Sequence, residues 1–173
     1  MEVKDYIRTI PDFPKEGIMF RDVTTVLNDA DGFRLAIDEM TKLLDGVEFD
    51  MVVGIESRGF IFGAPIAYNL KKPFVPIRKK GKLPYKTIEE TYALEYGTAT
   101  IEVHEDAIPK GSRVVIIDDL VATGGSAKAA ARLVEKLGAE VVKFAFLIEL
   151  PALKGREVLK EYDVGTVTEF DGE

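Results

Sequence analysis

The sequence predicts a single α/β domain, with a mostly parallel twisted sheet covered by helices on both faces. Two observations carry this expectation. The runs Met51–Ile55, Arg113–Ile117 and Val141–Ile148 are largely apolar and β-branched, as expected of strands buried on both sides. Segments of helical periodicity alternate with them. The 173 residues also suit one core and contain no internal repeat, linker or low-complexity stretch, so residues 1–173 are expected to form one unit.

In chain order, Val3 to Ile10 reads as a short helix stopped by Pro11, followed by an irregular loop through Asp12-Phe13-Pro14 and Lys15-Glu16-Gly17. Phe33, Ala36, Ile37, Met40, Leu43 and Leu44 repeat at helical spacing, with Asp31 as the expected cap and Gly46 just past the end. After the Met51–Ile55 strand, Phe60 to Leu70 reads as a helix in which Pro65 is unfavourable outside the first turn. Phe74 to Ile77 is a further strand, and Arg78 to Glu90 a long polar stretch. Tyr92–Glu95 and Thr98–Val103 predict a hairpin around Tyr96-Gly97. The strand Arg113–Ile117 leads into Asp118-Asp119. A helix then runs from Ser126 to Leu137, with Ala127, Ala130, Ala131 and Val134 on one face. The Val141–Ile148 strand, a short helix near Leu153–Leu159 and a strand near Val164–Val167 finish the pattern.

Composition narrows the chemistry. The formal charge is −7, which opposes broad nucleic-acid binding but allows a small anion in a locally basic pocket. There is no cysteine, so disulfides and a thiolate nucleophile are excluded, and the usage fits a reducing cytoplasm. His104 is the single histidine, which excludes multi-histidine metal sites and reads as a surface residue. The charged start MEVKDYIRTI predicts no signal peptide, and no apolar run approaches the ~18 residues of a membrane span. Carboxylates, Arg, Lys, hydroxyls and backbone amides must therefore do the work.

The most informative run is Val114 to Ser126, VVIIDDLVATGGS. A buried strand ends in two carboxylates, a Thr-Gly-Gly-Ser loop follows, and a helix begins. Ligands of open α/β sheets bind beyond the carboxyl ends of the strands. Gly124 and Gly125 let backbone amides approach a ligand, Thr123 and Ser126 add hydroxyls, and the helix start adds positive potential, which together make a phosphate cradle. Asp118 and Asp119 suit the hydroxyls of a ribose and could hold Mg²⁺ directly or through water. Phosphate donors at one end and paired acids at the other are shaped for a ribose 5-phosphate.

This run resembles the phosphoribosyl pyrophosphate (PRPP) signature of the type I phosphoribosyltransferases. Pro11-Asp12-Phe13-Pro14, Gly17 to Asp22, Glu56-Ser57-Arg58-Gly59-Phe60, Arg78 to Pro84, Leu94 to Gly97 and Leu153 to Glu157 resemble, in order, the adenine branch of that family. Ser126 stands where the family more often has Thr.

The resemblance implies a Mg²⁺-dependent transfer of a phosphoribosyl group from PRPP to adenine, releasing AMP and pyrophosphate, by a homodimer. It assigns the 5-phosphate to Ala122, Thr123, Gly124, Gly125 and Ser126, and the ribose hydroxyls to Asp118 and Asp119. Pyrophosphate falls to Arg58, Arg78, Lys79 and Lys82, beside an expected cis peptide at Glu56–Ser57. Glu95 is the implied acid/base near N7 of adenine, with Tyr96 beside it, on a mobile flap of about residues 79–97. Phe20 and Leu150 would sandwich adenine, while the backbone of Met19 and Arg21 reads its amino edge. Mg²⁺ is expected to be held mainly by PRPP. Three rivals stand beside this reading: a transferase for 6-oxopurines; a PRPP-sensing regulator without catalysis, which the acidic charge opposes; and a plain binding module or structural subunit, which the full set of motifs opposes.

Overall fold

The computed structural model describes residues 1–172. Seven strands form one sheet in the order β5-β6-β4-β3-β7-β8-β9, and β1 (Arg8–Pro11) pairs with β2 (Met19–Asp22) in a separate two-stranded ribbon. The strands β4 (Phe74–Lys79), β3 (Met51–Ile55), β7 (Arg113–Val121), β8 (Glu140–Glu149) and β9 (Val164–Glu169) run parallel. The hairpin of β5 (Thr87–Ala93) and β6 (Thr98–His104) joins antiparallel at the β4 edge. The expected mostly parallel sheet covered on two faces is therefore present.

Alternation along the strands divides the core. Val52, Val115, Ile117, Ala145 and Leu147 face α2 (Ala30–Lys42) and α3 (Arg58–Asn69). Met51, Val53, Val114, Ile116, Phe144 and Phe146 face α4 (Gly125–Lys136) on the other side. With both faces buried, period-two polarity disappears from the sequence. Small Ala127, Ala129, Ala130 and Ala131 are all buried and let α4 lie close to the sheet.

Several local expectations are corrected. Val3–Tyr6 is one 3-10 turn, and Arg8–Pro11 is strand rather than helix. Proline ends that strand without loss because a ribbon edge needs no donor there. Met19–Asp22 and the short α1 (Thr24–Leu27) were not foreseen. The cap of α2 is Asp29, whose Oδ1 accepts from Gly32 N–H at 2.9 Å; Asp31 lies inside the first turn. Pro65 sits deep within α3. Its missing N–H is tolerated because fully buried Phe62 and Ile66 hold the helix to the sheet. The polar stretch after Lys79 is partly strand, since β5 begins at Thr87. β7 continues through Asp118 and Asp119 to Val121 rather than ending before them.

Candidate active site

That continuation creates the site. β3 and β7 pair as far as Gly54 with Ile117, and β3 then turns through Glu56–Ser57 into α3. β7 runs on, paired only with β8, through Asp118–Phe146 to Val121–Glu149. The chain leaves β3 toward β4 and β7 toward β8, so the two strands part at a topological switch point. A cleft of about 1040 Å³ opens there, lined by the loops after β3, β7 and β8, the hairpin and β2. A second hollow of about 410 Å³ adjoins it through Phe20, Arg21 and Arg58.

On one wall, Ala122, Thr123, Gly124, Gly125 and Ser126 join β7 to α4, and all five line the cleft. Gly124 takes φ of +87° at the helix start, which a β-carbon would oppose. No side chain caps α4, unlike α2, so its first N–H groups are free to face an anion. The loop is propped from behind by α5 (Gly155–Val158). A β-carbon on Gly155 would sit 2.6 Å from the Ala122 carbonyl oxygen, so only glycine permits this approach. Glu149 is the brace: its buried carboxylate accepts from Arg156 Nε at 2.8 and 3.0 Å, and from Thr166 Oγ1 at 3.1 Å.

Centrally, Asp119 is buried and Arg58 Nε donates to its Oδ2 at 2.5 Å. Asp118 Oδ1 accepts from the Asp119 N–H at 2.8 Å. Burial, and then the neighbouring Asp119 charge, push the Asp118 carboxyl well above the usual range. Asp119 in turn pushes the Arg58 guanidinium up, so this cation stays charged. Gly59 packs directly on the pair, because a β-carbon there would lie 3.0 Å from Asp118 Oδ1.

On the far wall, the expected cis peptide is present at Glu56–Ser57. The Glu56 carboxylate, absent from the sequence-derived site, is almost fully buried. It accepts from Arg78 Nε at 3.0 Å, the Lys79 N–H at 3.1 Å and Lys82 Nζ at 2.7 Å. Burial pushes this carboxyl up, but Lys82, the Lys79 amide and Arg78 together hold it below its ordinary value. Arg58 and Lys79 line the cleft, whereas Arg78 and Lys82 are turned to Glu56. Lys80 pairs with Glu89 at 2.9 Å.

The hairpin overhangs the opening. Lys136 of α4 bonds Glu90 at 3.0 Å and the Glu89 carbonyl at 3.1 Å, fixing the base of β5. Tyr92, another residue missed from sequence, lies half-buried against Gly125, and burial and the Asp118 charge raise its hydroxyl. Glu95 lines the mouth with its side chain 72% exposed, 3.7 Å from Lys15 Nζ. Tyr96 is exposed, with Lys15 Nζ 5.5 Å from its ring centre. His104 ends β6 and accepts from the Tyr85 N–H through Nε2 at 3.3 Å, outside the cleft.

The last wall is β2. Phe20 lines the cleft and meets Phe13 edge-on at 5.1 Å. Arg21 also lines the cleft; its Nη1 donates to Thr9 Oγ1 at 2.7 Å and its guanidinium lies 4.4 Å from the Phe170 ring. Met19 and Leu150 complete the lining. Asp22 fixes the ribbon: Oδ2 accepts from Arg8 Nη2 at 2.6 Å and Oδ1 from Thr24 Oγ1 at 2.7 Å. Glu56 and Asp22 fall inside two of the motifs that carry the resemblance, but their bracing roles were not legible there, because a lone acid normally reads as solvated surface.

Among the described residues, no group of three or more acidic or histidine side chains could cage a metal, and no helix is long and apolar enough to cross a membrane.

Known proteins share this sequence pattern and fold. The family model for the phosphoribosyl transferase domain matches residues 26–172. The sequence is 65% identical over 170 residues to adenine phosphoribosyltransferase of Agathobacter rectalis, covering 98% of each chain. The fold matches the crystal structure of adenine phosphoribosyltransferase from Thermoanaerobacter pseudethanolicus with a TM-score of 0.95 at 52% identity, covering 97% of this chain and 98% of that one. The Saccharomyces cerevisiae enzyme, solved with adenine and an imino-altritol bisphosphate, matches with a TM-score of 0.90 at 43% identity, covering 95% and 96%. The chain therefore belongs to the phosphoribosyltransferase family, in its adenine phosphoribosyltransferase branch.

Proposed function

We propose that the protein joins adenine to the ribose 5-phosphate of PRPP with Mg²⁺, giving AMP and pyrophosphate. One observation carries the reading: the parting of β3 and β7 gathers an uncapped helix start, a carboxylate pair, the cations Arg58 and Lys79 and an aromatic wall around one cleft. Each matches one part of the two substrates.

The amides and hydroxyls of Ala122–Ser126 would hold the 5-phosphate. Asp118 and Asp119 would accept from the ribose hydroxyls, with Arg58 released from Asp119 toward pyrophosphate. Lys79 faces the cleft already, and Arg78 and Lys82 would join it by leaving Glu56. Phe20 and Leu150 would enclose adenine, with the backbone of Met19 and Arg21 at its amino edge. As the anomeric carbon loses pyrophosphate, N9 of adenine forms the new bond and Glu95 takes the proton from N7. Closure of the hairpin tip, with Tyr96, would exclude water from the sugar cation.

Two adjacent carboxylates, one of them paired with Arg58, cannot build a closed cation cage. They do fit Mg²⁺ carried by substrate oxygens and reached from Asp118 and Asp119, directly or through water. Bound there, Mg²⁺ would spread the charge of the departing pyrophosphate.

The proposed assembly is a homodimer, which the exposed apolar Ile61 and Tyr68 on α3 support. The proposed location is the cytoplasm.

The test offers the protein PRPP and Mg²⁺ with adenine, hypoxanthine, guanine or xanthine, and measures nucleotide. AMP from adenine alone is expected. Product from a 6-oxopurine would overturn the assignments of Phe20, Arg21 and Leu150. Bound PRPP without any product would favour a sensor.

A further inference from the structure

The connection from β4 to β5 is unusual for its length. Both strands lie antiparallel to β6, one on each side of it, so they run parallel to each other. The chain between Lys79 and Thr87 must therefore cross over β6. Crossovers between parallel strands commonly need a dozen or more residues, usually with a helix. Here residues 80–86 do it with neither helix nor strand.

Glu102 lies beneath this crossing. It sits on β6, opposite Arg78 on one side and Glu89 on the other, and is 7% exposed. A buried carboxylate is costly unless its oxygens are bonded. Both are taken by neutral donors at the two ends of the crossing: Oε1 accepts from the Gly81 N–H at 2.8 Å, and Oε2 from Thr87 Oγ1 at 2.8 Å. The crossing carries Lys82 and starts beside Lys79, which lines the cleft.

We propose that Glu102 is a positioning residue for pyrophosphate recognition: it staples the short crossing at both ends and so holds Lys79 and Lys82 at the edge of the cleft. This rests on the phosphoribosyl transfer proposed above. Glu102 lies on β6, beside β4, and is not among the residues that line the cleft, so it acts through the loop. Its loss should weaken the half of the reaction that involves pyrophosphate and leave adenine recognition at β2 intact. A residue needed only for folding would not separate the two.

The experiment compares Glu102→Ala, Glu102→Gln and Thr87→Val with the parent protein. It measures KM for PRPP at saturating adenine, KM for adenine at saturating PRPP, and calorimetric binding of pyrophosphate with Mg²⁺. Glu102→Ala should raise KM for PRPP and weaken pyrophosphate binding by roughly tenfold, with KM for adenine within about twofold. Glu102→Gln keeps an oxygen for the Gly81 amide and should recover most of the loss. If the alanine variant does not fold, Thr87→Val carries the test: a rise of about threefold confined to PRPP is expected, from one lost hydrogen bond. Equal shifts in both KM values, or no shift in either, would overturn the proposal while AMP formation by the parent keeps the transferase reading. No AMP from the parent would remove both.

Discussion

Arg58 Nε lies 2.5 Å from Asp119 Oδ2, so the cation expected to grip pyrophosphate is held by the acid expected to grip ribose. Substrate must exchange this pair for two new ones. Arg58 is half exposed and can move, whereas Asp119 is buried and fixed in β7.

Arg58→Gln should therefore lower kcat/KM for PRPP by about a hundredfold, since a charged donor to the developing pyrophosphate is lost. It should also cost about 1–3 kcal/mol of stability, because Asp119 stays buried without its partner. The double change with Asp119→Asn should recover stability in urea unfolding and recover no activity.

Glu95 is at the mouth and makes no buried contact, so its removal should spare the fold. Glu95→Gln should lower kcat by about a hundredfold, the scale of a general acid or base, with an unchanged melting temperature. A kcat equal to the parent's would remove Glu95 from the chemistry.

Asp118 has the opposite balance of fold and function. Its folded-state carboxyl binds a proton more tightly than an ordinary Asp, so its contribution to stability is full below pH 3.8 and is lost as pH rises toward the raised value. Asp118→Asn should be more stable than the parent at pH 7, the gap closing below about pH 4. The same variant should bind ribose poorly. Paired urea titrations at pH 4 and pH 7, with KM for PRPP, measure both.

At Asp22 the sign reverses. Thr24 and Arg8 lower its carboxyl to about 2, against burial. The stability it contributes is present above pH 3.8 and disappears as pH falls toward 2. Asp22→Asn should cost on the order of 1–2 kcal/mol at pH 6, allowing for solvent screening of the exposed Arg8, and little near pH 2. Acid unfolding curves followed by far-UV circular dichroism would show the parent and variant converging.

Gly155→Ala tests the prop behind the phosphate loop. The added carbon would meet the Ala122 carbonyl oxygen at 2.6 Å and Val121 Cγ2 at 2.8 Å. Overpacking of this kind costs about 1–3 kcal/mol. KM for PRPP should rise severalfold while KM for adenine stays put, because the strain lands on the loop between β7 and α4.

The alternating pattern was legible because doubly covered strands are continuously apolar, and Met51–Ile55, Arg113–Ile117 and Val141–Ile148 are short, β-branched apolar runs set between segments of helical spacing. The turn from β7 into α4 at the cleft was legible too, since Thr-Gly-Gly-Ser after a strand concentrates amides and hydroxyls at one point. The ribbon of β1 and β2 was not, because four-residue strands carry too few alternations to register a period and owe their form to pairing across the ribbon.

The sequence by itself determined the class of fold, the glycine-rich turn, the acid pair and the segments that surround them, because these depend on local pattern and on chemistry within a few residues. Only the tertiary structure decided how charge is distributed among them. That Glu56 holds Arg78 and Lys82, that Arg58 closes on Asp119, that Glu149 takes the Thr166 hydroxyl and that Glu102 takes the Gly81 amide are contacts between residues well separated in sequence. A carboxylate's role is set by whether it is buried and by what reaches it, and both arise from the packing of distant strands.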